Sequence, residues 1–309
     1  MMNALQECLF VSSLDDYKHG FIGSRELLRQ AELIAGTYEL AVEILDNMGF
    51  SAAELWARDE APTNERPQAP IGVTIKPDDP EILVTSPTYG GEVGTLSGYL
   101  ARPLDTERHP GIIVIHENRG LTEHIKDVAR RFAKAGYAAL APDLLARIGG
   151  TEHFTNIDEL SSSLRTLPPD AFIADLNAAL DYLRGLPCVH ADRVVATGFC
   201  FGGGLTWRLL TVRQELKAGV PFYGAAPPVE DVPKIQAAVL AIYGELDERI
   251  NAGIPDLEKA IQESRVPYEK IMYFGAAHAF HNDTGVNYHA EAAKNAWSRT
   301  LAHFGQYLV

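Results

Sequence analysis

A chain of 309 residues with 46% hydrophobic content can bury a large core, and one sizeable domain with an appendage is its natural organisation. The net charge of −14 argues against nucleic acid or an anionic membrane as partner, because holding phosphate needs clustered Lys and Arg, and no apolar run approaches the length of a membrane span. Cys8, Cys188 and Cys200 form no paired framework, which fits a reducing compartment, with the cytoplasm as the default.

In chain order, residues 1–58 read as a helical extension. Apolar residues recur at helical spacing over 24–34, Gly36 interrupts them, and a second amphipathic stretch covers 38–48. Residues 59–80, with Pro62, Pro67, Pro70, Pro77 and Pro80, read as a proline-rich linker or a wrap over the surface. The main domain, 81–309, opens with strands over 82–86 and 95–102, the expected antiparallel edge. Strands and helices then alternate: strand 111–115, helix 122–135, strand 137–141, helix 169–184, strand 193–198, helix 201–215 and strand 218–223. Further strands follow at 238–244 and 268–274, and a helix over 287–304 closes the chain. This alternation predicts an α/β fold, with a mostly parallel, doubly wound sheet, right-handed crossovers and helices on both faces. Residues 143–168, around Gly149-Gly150, read as a long irregular insertion that forms a lid or pocket wall. No internal repeat is present.

The stretch Ala196-Thr197-Gly198-Phe199-Cys200-Phe201-Gly202-Gly203-Gly204 is the most informative one. A reactive side chain at the tip of a tight strand-to-helix turn needs small residues two positions before and two after it, and Gly198 and Gly202 supply them. Cys200 then sits at a helix N-terminus, where the dipole favours a thiolate. Taken alone, an arbitrary cysteine here is better read as a small buried hydrophobe on a glycine turn. The downstream residues favour a nucleophile, because such an elbow is followed in chain order by an acid and then a histidine. Asp247 follows the strand 238–244 and His278 follows the strand 268–274, each at a carboxyl end, where catalytic groups of parallel sheets gather. Glu245 and Glu248 are rival acids, and His281 is a rival base. Glu117, directly after the strand 111–115, falls on the same edge. Close to a thiol it would oppose ionisation; otherwise it is a helix N-terminal acid paired with Arg119 or Lys126.

From residue 83 onward the chain resembles the dienelactone hydrolase family of α/β-hydrolases. The resemblance rests on His116-Glu117-Asn118-Arg119-Gly120, Ala141-Pro142-Asp143-Leu144, the cysteine elbow, Gly244-Glu245-Leu246-Asp247-Glu248-Arg249 and Ala277-His278-Ala279-Phe280. It implies a Cys-His-Asp triad of Cys200, His278 and Asp247, acting on an ester or lactone through a thioester acyl-enzyme. It also implies an oxyanion hole from the N–H groups of Phe201 and Asn118, and a Glu117 that holds the thiol protonated and turned away at rest. One departure stands out: relatives that clamp an anionic lactone carry an arginine four residues after the histidine, where this chain has Asn282. Arg119, Arg249, His281, Asn282 and Tyr223 are therefore the substrate-binding candidates, with Arg147 and Arg208 as further sources of charge. Relatives also carry an export leader after a segment like Tyr17-Lys18-His19-Gly20. Here Arg25 stands alone where a twin pair is needed, and Glu32, Glu39 and Glu43 interrupt the apolar region, so the segment reads as retained structure.

Three other functions compete. Gly202-Gly203-Gly204 does not meet the dinucleotide fingerprint, so no nucleotide cofactor is expected. His278, His281, Asp283 and His289 offer metal-ligand types, but His116-Glu117 lacks the second histidine of a zinc helix, so no metal is expected either. A non-catalytic relative of the same fold, serving binding or scaffolding, is the main alternative. The N-terminal helices either cover the pocket or form a homodimer contact.

Overall fold

The computed structural model describes residues 38–50 and 74–308, with the isolated helical positions Leu27, Ala31 and Ala35. The chain divides into two compact units, Met1–Ala69 and Pro70–Val309, and the division falls inside the proline-rich stretch. In the first unit, helix α1, Tyr38–Asn47, buries Ala41 and Leu45, four residues apart on one face. Gly49 ends it with a φ of 84°, and the Phe50 N–H reaches back to the Leu45 carbonyl at 2.9 Å. Cys8, Tyr17-Lys18-His19-Gly20, and most of the predicted extension and linker lie outside the described residues.

The second unit is built on one sheet. Its strands are β1 (Ile82–Thr85), β2 (Thr88–Gly91), β3 (Gly94–Pro103), β4 (His109–Ile115), β5 (Ala138–Pro142), β6 (Val189–Phe199), β7 (Ala218–Phe222), β8 (Ala238–Gly244) and β9 (Tyr268–Tyr273). The order across the sheet is β1-β3-β5-β4-β6-β7-β8-β9, with β2 paired to β3. All pairs from β5 to β9 are parallel, and the β1, β2 and β5 pairings with β3 are antiparallel.

Alternation along β4 separates two cores. Ile113 and Ile115 face one side, and Ile112 and Val114 face the other. The first side is covered by α4 (Pro169–Gly185), α5 (Phe201–Val212) and α7 (Ile254–Ser264), the second by α2 (Glu123–Lys134) and α8 (Ala290–Tyr307). Because the central strands are buried on both faces, apart from the exposed Ala191-Asp192-Arg193 of β6, they read as apolar runs, which is why the sequence revealed them. The chain leaves β4 for β5 on one side and returns to β6 on the other. The carboxyl ends of β4 and β6 thus flank the reversal of strand order, where ligands of such sheets bind.

The insertion is more ordered than its composition suggests. It contains helix α3, Ile157–Thr166, capped by the Asn156 side chain on the Asp158 N–H at 2.8 Å, with Leu160 and Leu164 buried at helical spacing. Ten residues with one buried stripe are too short a signal to separate from loop. The short strand β2, with two glycines, and the four-residue helix α6 (Glu248–Asn251) escaped notice for the same reason.

Candidate active site

Cys200 is the hinge between β6 and α5. Its φ of 57° and ψ of −113° are strained for a side-chain-bearing residue, and the turn leaves no room beside it. A Cβ on Gly198 would lie 2.3 Å from the Gly202 carbonyl oxygen, and one on Gly202 would lie 2.3 Å from that of Ile115. Only glycine allows β4, β6 and α5 to approach this closely.

The three residues expected to meet do so. His278 Nε2 lies 2.9 Å from Cys200 Sγ, and its Nδ1 is hydrogen-bonded to Asp247 Oδ2. A carboxylate only accepts, so Nδ1 carries the proton and Nε2 is free to accept from the thiol. Asp247 is the N-cap residue of α6, and the Ile250 N–H bonds its Oδ1 at 3.4 Å. The His278 carbonyl accepts from Asn287 Nδ2 at 2.9 Å, and Ala279 turns the chain with a φ of 65°. Of the rival acids, Glu245 is occupied by the Gly275 N–H at 2.9 Å and Glu248 is exposed.

The thiol is pushed up to about 11, chiefly by burial, then by the Glu117 carboxylate; the Phe201 N–H and the Arg249 charge oppose this without winning. The pull of the helix N-terminus toward the thiolate is thus outweighed by burial together with the opposing carboxylate expected of Glu117. Glu117 is 5% exposed. Its Oε2 accepts from Asn282 Nδ2 at 2.8 Å, while Lys126 Nζ lies 3.6 Å from Glu152 instead. The expected resting contact between Glu117 and a turned-away thiol is not the arrangement found: Asn282 holds the carboxylate and His278 holds the sulfur.

The other candidates separate into rim and interior. Arg119, Arg249 and Asn118 are exposed at the rim, and the Asn118 carbonyl accepts from Ser161 Oγ of α3 at 2.9 Å, which ties the insertion to the loop after β4. Tyr223 is 0% exposed and packs its ring 5.1 Å from that of His278, so it backs the imidazole where a pocket lining was expected. His281 is 2% exposed, stacked on Phe199 at 5.1 Å, and held down at about 3 by burial and by the charges of His124 and Arg131. It is a neutral core residue, remote from the role of base or substrate ligand. Arg147 is committed to Asp175, at 2.8 and 2.6 Å.

His116 was quoted in the sequence only as part of a motif, yet it organises this corner. Its Nδ1–H donates to the Glu117 carbonyl at 2.6 Å and its Nε2 accepts from the Leu144 N–H at 3.1 Å. Burial keeps it neutral, which both bonds require. Asp143 secures the same loop by accepting from Thr151 N and Oγ1 at 2.7 and 2.8 Å, while Thr151 Oγ1 accepts from the Leu121 N–H at 2.8 Å. A buried histidine directly after an apolar strand was the available signal; the Thr151 contact had none.

A doubly wound sheet with an elbow at its reversal point, and an acid and a histidine on the last two strand ends, defines an α/β-hydrolase. Comparison with known proteins narrows this: the chain belongs to the dienelactone hydrolase family, whose model matches residues 96–308. A protein of Methylorubrum extorquens named "putative carboxymethylenebutenolidase" is 37% identical over 70% of this chain and 78% of its own length. Among solved structures, a "putative dienelactone hydrolase" of Klebsiella pneumoniae superposes with a TM-score of 0.68 at 32% identity, covering 73% of this chain and 99% of that one. A dienelactone hydrolase-like promiscuous phosphotriesterase from metagenomic libraries gives a TM-score of 0.68 at 26% identity, over 74% and 100%. Among the described residues, no helix is long and apolar enough to cross a membrane.

Proposed function

We propose that this chain hydrolyses carboxylic esters or lactones with Cys200 as nucleophile, His278 as general base and Asp247 as the group that orients it. The observation that carries this reading is the continuous relay from Asp247 through both nitrogens of His278 to the sulfur, 2.9 Å away. A purely binding or scaffolding role gives no reason to hold Cys200 in a strained backbone conformation against that imidazole.

With the thiol pushed up to about 11, it is protonated at rest near neutrality. The proton therefore passes from Sγ to His278 Nε2 as the sulfur attacks the carbonyl carbon. The negative charge that develops on the carbonyl oxygen is taken by the N–H groups of Phe201 and Asn118. His278 returns the proton to the departing alkoxide, leaving a thioester on Cys200. A water molecule then gives its proton to Nε2, attacks the thioester and releases the acid, and the thiol is restored. Thiolate is itself a good leaving group, so the first tetrahedral adduct reverts readily from unstrained alkyl esters. Activated esters and strained lactones are the better substrates. A free reactive thiol suits the reducing cytoplasm.

The experiment is turnover of p-nitrophenyl acetate by Cys200→Ala, expected to be abolished. Full activity in Cys200→Ala would refute the mechanism.

A further inference from the structure

We infer that the site selects substrates whose acyl part carries no negative charge, and that the Glu117–Asn282 pair imposes this selection. The inference rests on the ester or lactone hydrolase reading above and specifies its substrate class.

The orientation of Asn282 is fixed by its other contacts. Its Oδ1 accepts from both the N–H and the Oγ1 of Thr284, at 3.0 and 2.7 Å, so its Nδ2 is the end that meets Glu117 Oε2 at 2.8 Å. An amide supplies a hydrogen bond to a buried carboxylate without cancelling its charge. No ion pair of Glu117 occurs among the described residues, and its negative field reaches the sulfur more strongly than the positive field of Arg249. The second carboxylate of the site, Asp247, accepts from His278 Nδ1, and its charge likewise opposes ionisation of the thiol.

Nearby cations are committed elsewhere. Arg131 bridges Asp127 and Asp283, Arg130 is bound to Glu123 and the Tyr99 hydroxyl, and Arg147 is bound to Asp175. Arg119 and Arg249 remain exposed on the rim, outside the buried corner that Glu117 occupies. The unmatched charge beside the reacting sulfur is therefore negative. At an effective dielectric of about 20, a substrate carboxylate about 7 Å from Glu117 would lower kcat/KM by up to roughly fiftyfold, and the exposed Arg249 works against this.

The test compares the mono-p-nitrophenyl ester of glutaric acid with the same ester carrying a methylamide in place of the free carboxylate, at neutral pH, with spontaneous hydrolysis subtracted. The wild type is expected to favour the amide, by up to roughly fiftyfold in kcat/KM. Glu117→Gln, which keeps the acceptor for Asn282, and Asn282→Arg, which brings a cation to the carboxylate, should each bring the ratio toward unity. Equal turnover of both esters by the wild type, or a preference for the carboxylate, overturns the inference while leaving the hydrolase reading intact. A wild-type preference that survives unchanged in whichever variants fold overturns the role of the pair. Failure to hydrolyse either ester removes the hydrolase reading and this inference with it.

Discussion

Replacing Glu117 by glutamine probes a nucleophile whose surroundings resist its ionisation. Burial is the larger cause of the raised thiol and persists in the variant; the carboxylate is the second cause and is removed. Glutamine still offers an oxygen to Asn282 Nδ2, so the loop after β4 keeps its anchor. A unit charge about 6 Å away at an effective dielectric of about 20 contributes about 3 kcal/mol, or roughly two pH units. The thiol of the variant should accordingly fall from about 11 to between about 9 and 10. The sign follows from the charge: without a neighbouring anion, the thiolate forms at lower pH. Each unit of fall gives tenfold more thiolate, offset by a loss of nucleophilicity of a little under half an order of magnitude. Alkylation at pH 8 should thus rise about three- to tenfold.

The assay is the rate of iodoacetamide incorporation at Cys200, followed by mass spectrometry of its peptide from pH 6 to 10. The wild-type rate should climb through the whole range, whereas Glu117→Gln should bend over near the upper end. A profile that stays in place, or moves to higher pH, would refute the assignment of Glu117 as the charge that restrains the thiol.

Asp247→Asn removes the acceptor that fixes the His278 tautomer and should lower kcat by about 10²- to 10⁴-fold with p-nitrophenyl acetate; a loss under tenfold would mean another acid orients the ring. His281 is held at about 3, below its unfolded value, so the unfolded chain gains a proton first as pH falls. Stability should then drop by about 1.4 kcal/mol per unit below about pH 6.5. His281→Phe should shift acid unfolding to lower pH with esterase activity retained, and an unmoved acid midpoint would count against a buried neutral imidazole. Gly202→Ala forces a methyl to within 2.3 Å of the Ile115 carbonyl and should cost at least about 1–3 kcal/mol, read as a lowered unfolding midpoint together with reduced turnover.

The parts legible in the sequence share one physical property: their signal is local. Buried parallel strands are largely apolar, so β4 to β8 announce themselves, and Gly198 and Gly202 flag a turn whose crowding only glycine relieves. Chain order then pointed to Asp247 and His278. Contacts between distant segments left no such trace. Nothing at Asn282 shows that it will bind Glu117, and nothing at Tyr223 or His281 tells a pocket wall from a core position, because both residue types serve either role. The thiol's ionisation was legible in part: the helix dipole and the opposing Glu117 carboxylate both show in the sequence, whereas burial, the largest cause of the raised thiol, is a product of tertiary assembly.

Backbone strain follows the same division and explains what the sheet contributes to the chemistry. Among the described residues, non-glycine positions with positive φ are Cys200, Tyr223, Arg265 and Ala279. Arg265 closes α7, an ordinary place for a left-handed residue. The other three carry the thiol, the ring that backs His278, and the peptide directly after His278; each costs about 1–3 kcal/mol. Together they approach the net stability of a typical domain, so no isolated loop could retain them. Cys200 and Tyr223 persist because the buried carboxyl ends of β6, β7 and β8 fix the points from which their turns spring: the Cys200 N–H bonds the Phe222 carbonyl at 3.0 Å and the Tyr223 N–H bonds that of Ile242 at 2.7 Å, while Ala279 follows β9. The apolar runs that made the fold readable thus hold the site in a geometry that its own residues would not adopt.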